Sequence, residues 1–134
     1  MPEQREIIIP STPTGRREAE AQVMKLADEL GFSEEARFSI KLAIEEAIVN
    51  AMKHGNRFDK GKQVYIRYGG NDQTFTVTVR DEGHGFDRSI LPDPTSPENL
   101  ALPYGRGVML MEAYMDDVQF SAKGNEVTMV KENR

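Results

Sequence analysis

Residues 74–85 read TFTVTVRDEGHG, and their alternation decides how the chain is to be folded. Phe75, Val77 and Val79 fall on one side of an extended segment, and Thr74, Thr76 and Thr78 on the other. That period of two marks a strand with one covered and one wetter face. Asp81 continues the apolar series, so its carboxylate is expected to point toward the covered side. An unpartnered carboxylate there would be costly, so a partner is implied. The exocyclic amino group of an adenine, a hydrogen-bond donor, would serve. Read alone, Asp-x-Gly is equally an ordinary exit from a strand into a turn. Gly83 and Gly85, two apart, allow a tight turn or close approach of backbone to a flat ring.

Upstream, residues 62–68 (KQVYIRY) alternate in the same way, with Val64, Ile66 and Tyr68 on one face. The linker GGNDQ is rich in residues that tolerate positive φ, so the two segments form a hairpin. Further upstream Ser33 starts a helix that Gly55 ends. Its Ile40, Ile44, Ala47, Ile48 and Ala51 recur at helical spacing and form one stripe. Residues 5–10 read as a short strand stopped by Pro10. A helix through 16–30 follows, with Ser11, Thr12 and Thr14 as candidate caps and Gly31 as its stop. Downstream, residues 86–104 form a loop holding four of the seven prolines, a length that in small domains usually marks a lid or binding loop. A third helix over 106–116 and strands at 117–122 and 126–131 complete the order. That order predicts an α/β protein: a two-layer sandwich whose mixed, mostly antiparallel sheet is covered on one face by three helices, as one domain over 1–134.

Composition narrows the function. With 134 residues the chain is long enough to bury a core. The absence of cysteine excludes disulfides, thiolate metal sites and a catalytic thiol. Seventeen Lys and Arg against 22 Asp and Glu give a net charge of -5, which argues against direct nucleic-acid binding. His54 and His84 are not spaced as a helical metal pair. No apolar run is long enough to cross a bilayer, and the opening MPEQREIIIP lacks the apolar core of a signal peptide, so no membrane association and a cytoplasmic location are expected.

Two further groups of residues stand out. Glu46 and Asn50, four apart on the second helix, point the same way, with Lys53 nearby. They fall opposite the Ile40–Ile44–Ala51 stripe, and a solvated polar face would look the same. Asn50 is, however, a mediocre helix former in mid-helix, which favours a use for its amide. Gly105-Arg106-Gly107 opens the third helix, where free N–H groups and the positive end of the helix dipole suit a phosphate. Gly55 to Gln63 imitates a P-loop but fails as one. Five residues separate its glycines, Gln63 replaces the Ser/Thr, and the segment follows a helix instead of a strand.

Taken in order over residues 34–131, these pieces resemble the Bergerat (GHKL) ATP-binding fold of gyrase, histidine kinases and MutL. EEAIVNAMKHGN, RDEGHGFD and GRGVMLMEAYMDDV are most similar to the bacterial anti-sigma-factor serine kinases, the SpoIIAB and RsbW group. That resemblance implies ATP and Mg²⁺ as ligands, with Asn50 on the metal and Glu46 as general base toward a serine of the protein substrate. It implies that Asp81 accepts from the adenine amino group, with Gly83 and Gly85 beside the ring. Gly105, Arg106 and Gly107 would meet the phosphates. The implied partners are an anti-anti-sigma protein of the STAS class, a sigma factor in competition with it, and a second copy of the chain in a homodimer. The alternative is a nucleotide-binding switch that sequesters a partner with little or no catalysis. Two features depart from the family. Gly124-Asn125-Glu126-Val127 replaces the usual Gly-Thr-Thr, leaving Asn125 or Thr128 to stand in. The first-helix arginine used in partner recognition has only Arg16 and Arg17 near its place, and ungapped counting from Glu46 lands on Glu20.

Overall fold

The computed structural model describes residues 3–56, 59, 61–83, 103–122 and 124–134. In chain order they form β1 (Glu3–Pro10), α1 (Pro13–Glu29), α2 (Glu34–Asn50), one π-helical turn (Ala51–Gly55), β2 (Gln63–Gly70) and β3 (Thr74–Arg80). After them come α3 (Pro103–Tyr114), β4 (Asp117–Phe120) and β5 (Glu126–Glu132). The sheet order is β1-β2-β3-β5-β4. Among the described residues every pairing is antiparallel, where the sequence suggested a mixed, mostly antiparallel sheet.

The alternation of the strands sets the layers. Ile9, Val64, Ile66, Tyr68, Phe75, Val77, Val79, Val127 and Met129 are all buried, and all lie on one face of the sheet. The helices cover that face. The α2 stripe Ile40, Ile44, Ala47, Ile48 and Ala51 is buried, joined by Ala19, Val23 and Leu26 of α1 and Val108 and Met111 of α3. Phe32, in the α1–α2 connection, meets Phe75 edge to face with centroids 5.6 Å apart. The two-layer α/β architecture expected from the sequence is therefore present, with a core of aliphatic, methionine and aromatic side chains between sheet and helices.

Local chemistry accounts for the element ends. Thr12 caps α1, its side chain accepting from Gly15 N–H at 3.1 Å. Pro13 suits the first helical position, because its missing N–H would be unpaired there anyway. Helix α1 therefore starts three residues before the expected Arg16. Gly31 adopts φ 84°, the left-handed conformation that ends helices at little cost for glycine. Ser33 caps α2 by accepting from Ala36 N–H at 3.0 Å, with Glu34 and Glu35 favourably placed in the first turn. The hairpin turn closes through Asn71, whose side-chain oxygen accepts from Gln73 and Thr74 N–H. Helix α3 also begins earlier than the expected residue 106, at Pro103, so Gly105, Arg106 and Gly107 lie within its first two turns.

The second helix does not stay α-helical to Gly55. After Asn50 it widens into a π turn, closed by Asn56 N–H donating to Ala51 O at 2.8 Å. Such turns are rare and concentrate at functional positions, because they re-aim the residues that follow.

Candidate functional site

Asp81 follows the last residue of β3 and is buried, 8% exposed, on the side the alternation predicted. One carboxylate oxygen accepts from Gly83 N–H at 2.7 Å. Its main chain is held as well: Asp81 N–H donates to Asn125 O at 2.9 Å, and the Asn125 amide donates to Asp81 O at 3.3 Å. The carboxyl group lies over the π turn, where a Cβ added to Gly55 would overlap it. Gly83 packs equally tightly on the other side, since its added Cβ would overlap the Gly55 carbonyl. Two glycines and a carboxylate are thus stacked where the end of α2 meets the end of β3. A buried carboxylate at such a junction can accept from a donor on a flat ring.

The second half of the site lies one to two turns back along the same helix. Glu46 and Asn50 are half-buried and converge on α3. A Cβ added to Gly107 would lie 2.7 Å from Asn50 Nδ2 and 3.3 Å from Glu46 Oε2. Glycine at 107 therefore lets the first turns of α3 approach a carboxylate and an amide closely. Burial, and then the neighbouring Glu45 carboxylate, raise the Glu46 pKa above its ordinary 4.5. A carboxylate with a raised pKa is a stronger base than an ordinary one.

The remaining expected residues divide. Lys53 is exposed on the π turn. Gly105 and Arg106 belong to the opening of α3. Gly85 and residues 86–102 of the expected 86–104 loop lie outside the described residues, as does His84. Of the two candidates for the missing threonines, Asn125 reaches the Asp81 main chain, with its own carbonyl and with its side-chain amide. Thr128 points to the other face of the sheet, its hydroxyl 3.1 Å from that of Thr78. On α1, Arg16 Nε lies 3.8 Å from Glu20 Oε1, while Arg17 is exposed. Burial raises the Glu20 pKa, opposed by Arg16.

Two residues of the site escaped the sequence reading. Gly55 registered only as a helix stop and as one end of a rejected P-loop imitation, and Asn56 only as the last residue of the EEAIVNAMKHGN stretch, with no role of its own. The available signal was the adjacency of Gly55-Asn56 to a polar helix face, which becomes informative only once β3 is known to end against that turn.

With this geometry in place the class of protein is defined. The model of the histidine kinase-like ATPase domain matches residues 9–131, and the chain belongs to that family. Within it, curated relatives carry the name serine-protein kinase RsbW. That of Bacillus subtilis is 32% identical over 113 residues, covering 79% of this chain and 71% of its own. That of Oceanobacillus iheyensis is 29% identical over 122 residues, covering 87% and 77%. Among solved structures, that of the RsbU and RsbW domains of Rv1364c from Mycobacterium tuberculosis superimposes with a TM-score of 0.63 at 20% identity. It covers 98% of this chain, which spans 32% of that one, and the likeness bears on the fold. Among the described residues no helix is long and apolar enough to cross a membrane.

Proposed function

We propose that the protein binds Mg-ATP and transfers the γ-phosphoryl group to a serine of a partner protein. The observation that carries this reading is the convergence of Glu46, Asn50 and Gly107, one to two turns of helix from the buried Asp81–Gly55–Gly83 junction. In this reading Asp81 accepts a hydrogen bond from the adenine amino group. Gly83 and Gly85 flank the ring, and Lys53, Gly105, Arg106 and Gly107 meet the phosphates. Glu46 takes the proton of the serine hydroxyl as its oxygen bonds to the γ-phosphorus and the bond to the β-phosphate oxygen breaks, releasing ADP. Phosphoryl transfer asks mainly for positioning and charge neutralisation, with a carboxylate orienting the nucleophile.

The donor set fits a magnesium ion that arrives with the nucleotide. Among the described residues no group of three or more His, Cys, Asp or Glu could hold a metal by itself. Asn50 offers one neutral oxygen, and Mg²⁺ typically takes only one or two protein ligands when phosphates supply the rest. Bound there, the ion would neutralise phosphate charge, with Asn50 as its protein ligand.

By the similarity to RsbW kinases, the substrate serine belongs to an anti-anti-sigma protein of the STAS class. A sigma factor is the competing partner, and the protein works in the cytoplasm as a homodimer. The decisive test is Glu46→Gln with labelled ATP and such a STAS protein. The variant should bind Mg-ATP like the parent but transfer phosphate at least about a hundredfold more slowly. Because Glu46 must be ionised to act, the parent's rate should climb with pH across a limb displaced above 4.5, and the variant should lack that limb. Unchanged transfer would assign the base elsewhere.

A further inference from the structure

The residue after the π turn, Asn56, is 1% exposed and is the most fully connected polar side chain near the site. Its amide nitrogen donates to Ser11 Oγ at 3.0 Å and to Gln63 O at 3.0 Å. Its amide oxygen accepts from Glu82 N–H at 2.8 Å. One side chain thus ties the end of β1 and the start of β2 to the peptide between Asp81 and Gly83. Ser11 in turn donates to Lys62 O at 3.2 Å, and the Glu82 carboxylate accepts from Gln63 N–H, which closes the network. Every donor and acceptor of the Asn56 amide has an assignment, except the second lone pair of its oxygen.

We propose that Asn56 is a positioning residue that sets the base selectivity of the nucleotide pocket by fixing the Asp81–Gly83 segment against Gly55. The inference rests on the nucleotide reading above. Asp81 can prefer adenine only while its carboxylate is aimed at the ring edge. There adenine offers an amino donor and guanine a carbonyl acceptor. The Gly83 N–H that steers the Asp81 carboxylate is one residue beyond the Glu82 N–H that Asn56 holds. Released from Asn56, that turn is free to rotate, and the carboxylate loses its aim before the fold loses its core.

The test compares Asn56→Ala with Ser11→Ala, measuring ATP and GTP dissociation constants by calorimetry beside melting temperature. Ser11→Ala removes a partner of Asn56 on the β1 side and leaves the Glu82 contact intact. Asn56→Ala should weaken ATP binding about tenfold or more and reduce the preference for ATP over GTP by about fivefold. Ser11→Ala should lower the melting temperature and change neither. Asn56→Asp keeps an acceptor for Glu82 N–H and should retain the base preference, even at a lower melting temperature. Should neither Asn56 variant fold, amide exchange in the nucleotide-free parent decides: Glu82 N–H should be protected, and rapid exchange would overturn the proposal. A folded Asn56→Ala with parental ATP affinity and preference would also overturn it. If the parent itself binds no ATP, the nucleotide reading has failed instead.

Discussion

The residues that shape the site differ in where the cost of changing them falls. A Cβ on Gly55 would overlap the Asp81 carboxyl group, which is a side chain and can swing aside. A Cβ on Gly83 would overlap the Gly55 backbone, which cannot. Gly55→Ala should therefore leave the circular dichroism spectrum and melting temperature near the parent's, while ATP affinity in a fluorescence titration falls by about tenfold or more. A folded Gly55→Ala with parental affinity would remove Asp81 from the pocket. Asp81 itself was legible in the sequence because strand parity alone turned it inward, with no appeal to contacts. Gly55 and Asn56 were not, since their importance comes from a meeting of the α2 end with the β3 end, across 25 or more residues of chain. No local pattern encodes that meeting. Glu46 and Asn50 stood between these cases. Their spacing placed them on one face, but a solvated face has the same spacing, and only Gly107 shows that α3 comes to meet them.

At the scale of elements, the sequence marked each helix and strand, and its errors were at their ends. Helix α3 was expected from residue 106 and begins at Pro103; α2 was expected to run unbroken to Gly55 and becomes a π turn after Asn50. Both differences lie where the chain enters or leaves the site, which is where local preference is most often overruled. The C-terminal end of β5 shows how elements are tied together away from it. The Asn133 side chain accepts from Ser33 N–H at 2.9 Å and donates to Gly31 O at 3.1 Å and Asp72 O at 2.8 Å. One amide thus joins the α1–α2 connection to the β2–β3 turn. Asn133→Ala removes three hydrogen bonds and should cost about 2 kcal/mol, a fall of roughly 7 °C in melting temperature, with ATP affinity unchanged. A melting shift below about 2 °C would show that the clamp is idle.

At the scale of the molecule, an antiparallel sheet carries helices on one face, and the site lies between the two layers at one end. Strand β3 delivers Asp81 from the sheet. Helix α2 delivers Glu46 and Asn50 from the other layer, and α3 completes the site with Gly107. The fold brings the two halves of the site together by making both depend on α2 and the turn that ends it. The proposed function therefore requires a nucleotide bound at that junction. Calorimetric titration of Mg-ATP into the parent and into Asp81→Asn tests it most directly. Exchanging a carboxylate for an amide keeps the size of the side chain but presents a donor to the adenine amino group. Saturable one-site binding to the parent is expected, with affinity lost by about a hundredfold or more in a variant that melts as the parent does. Equal affinity in the two proteins would contradict it.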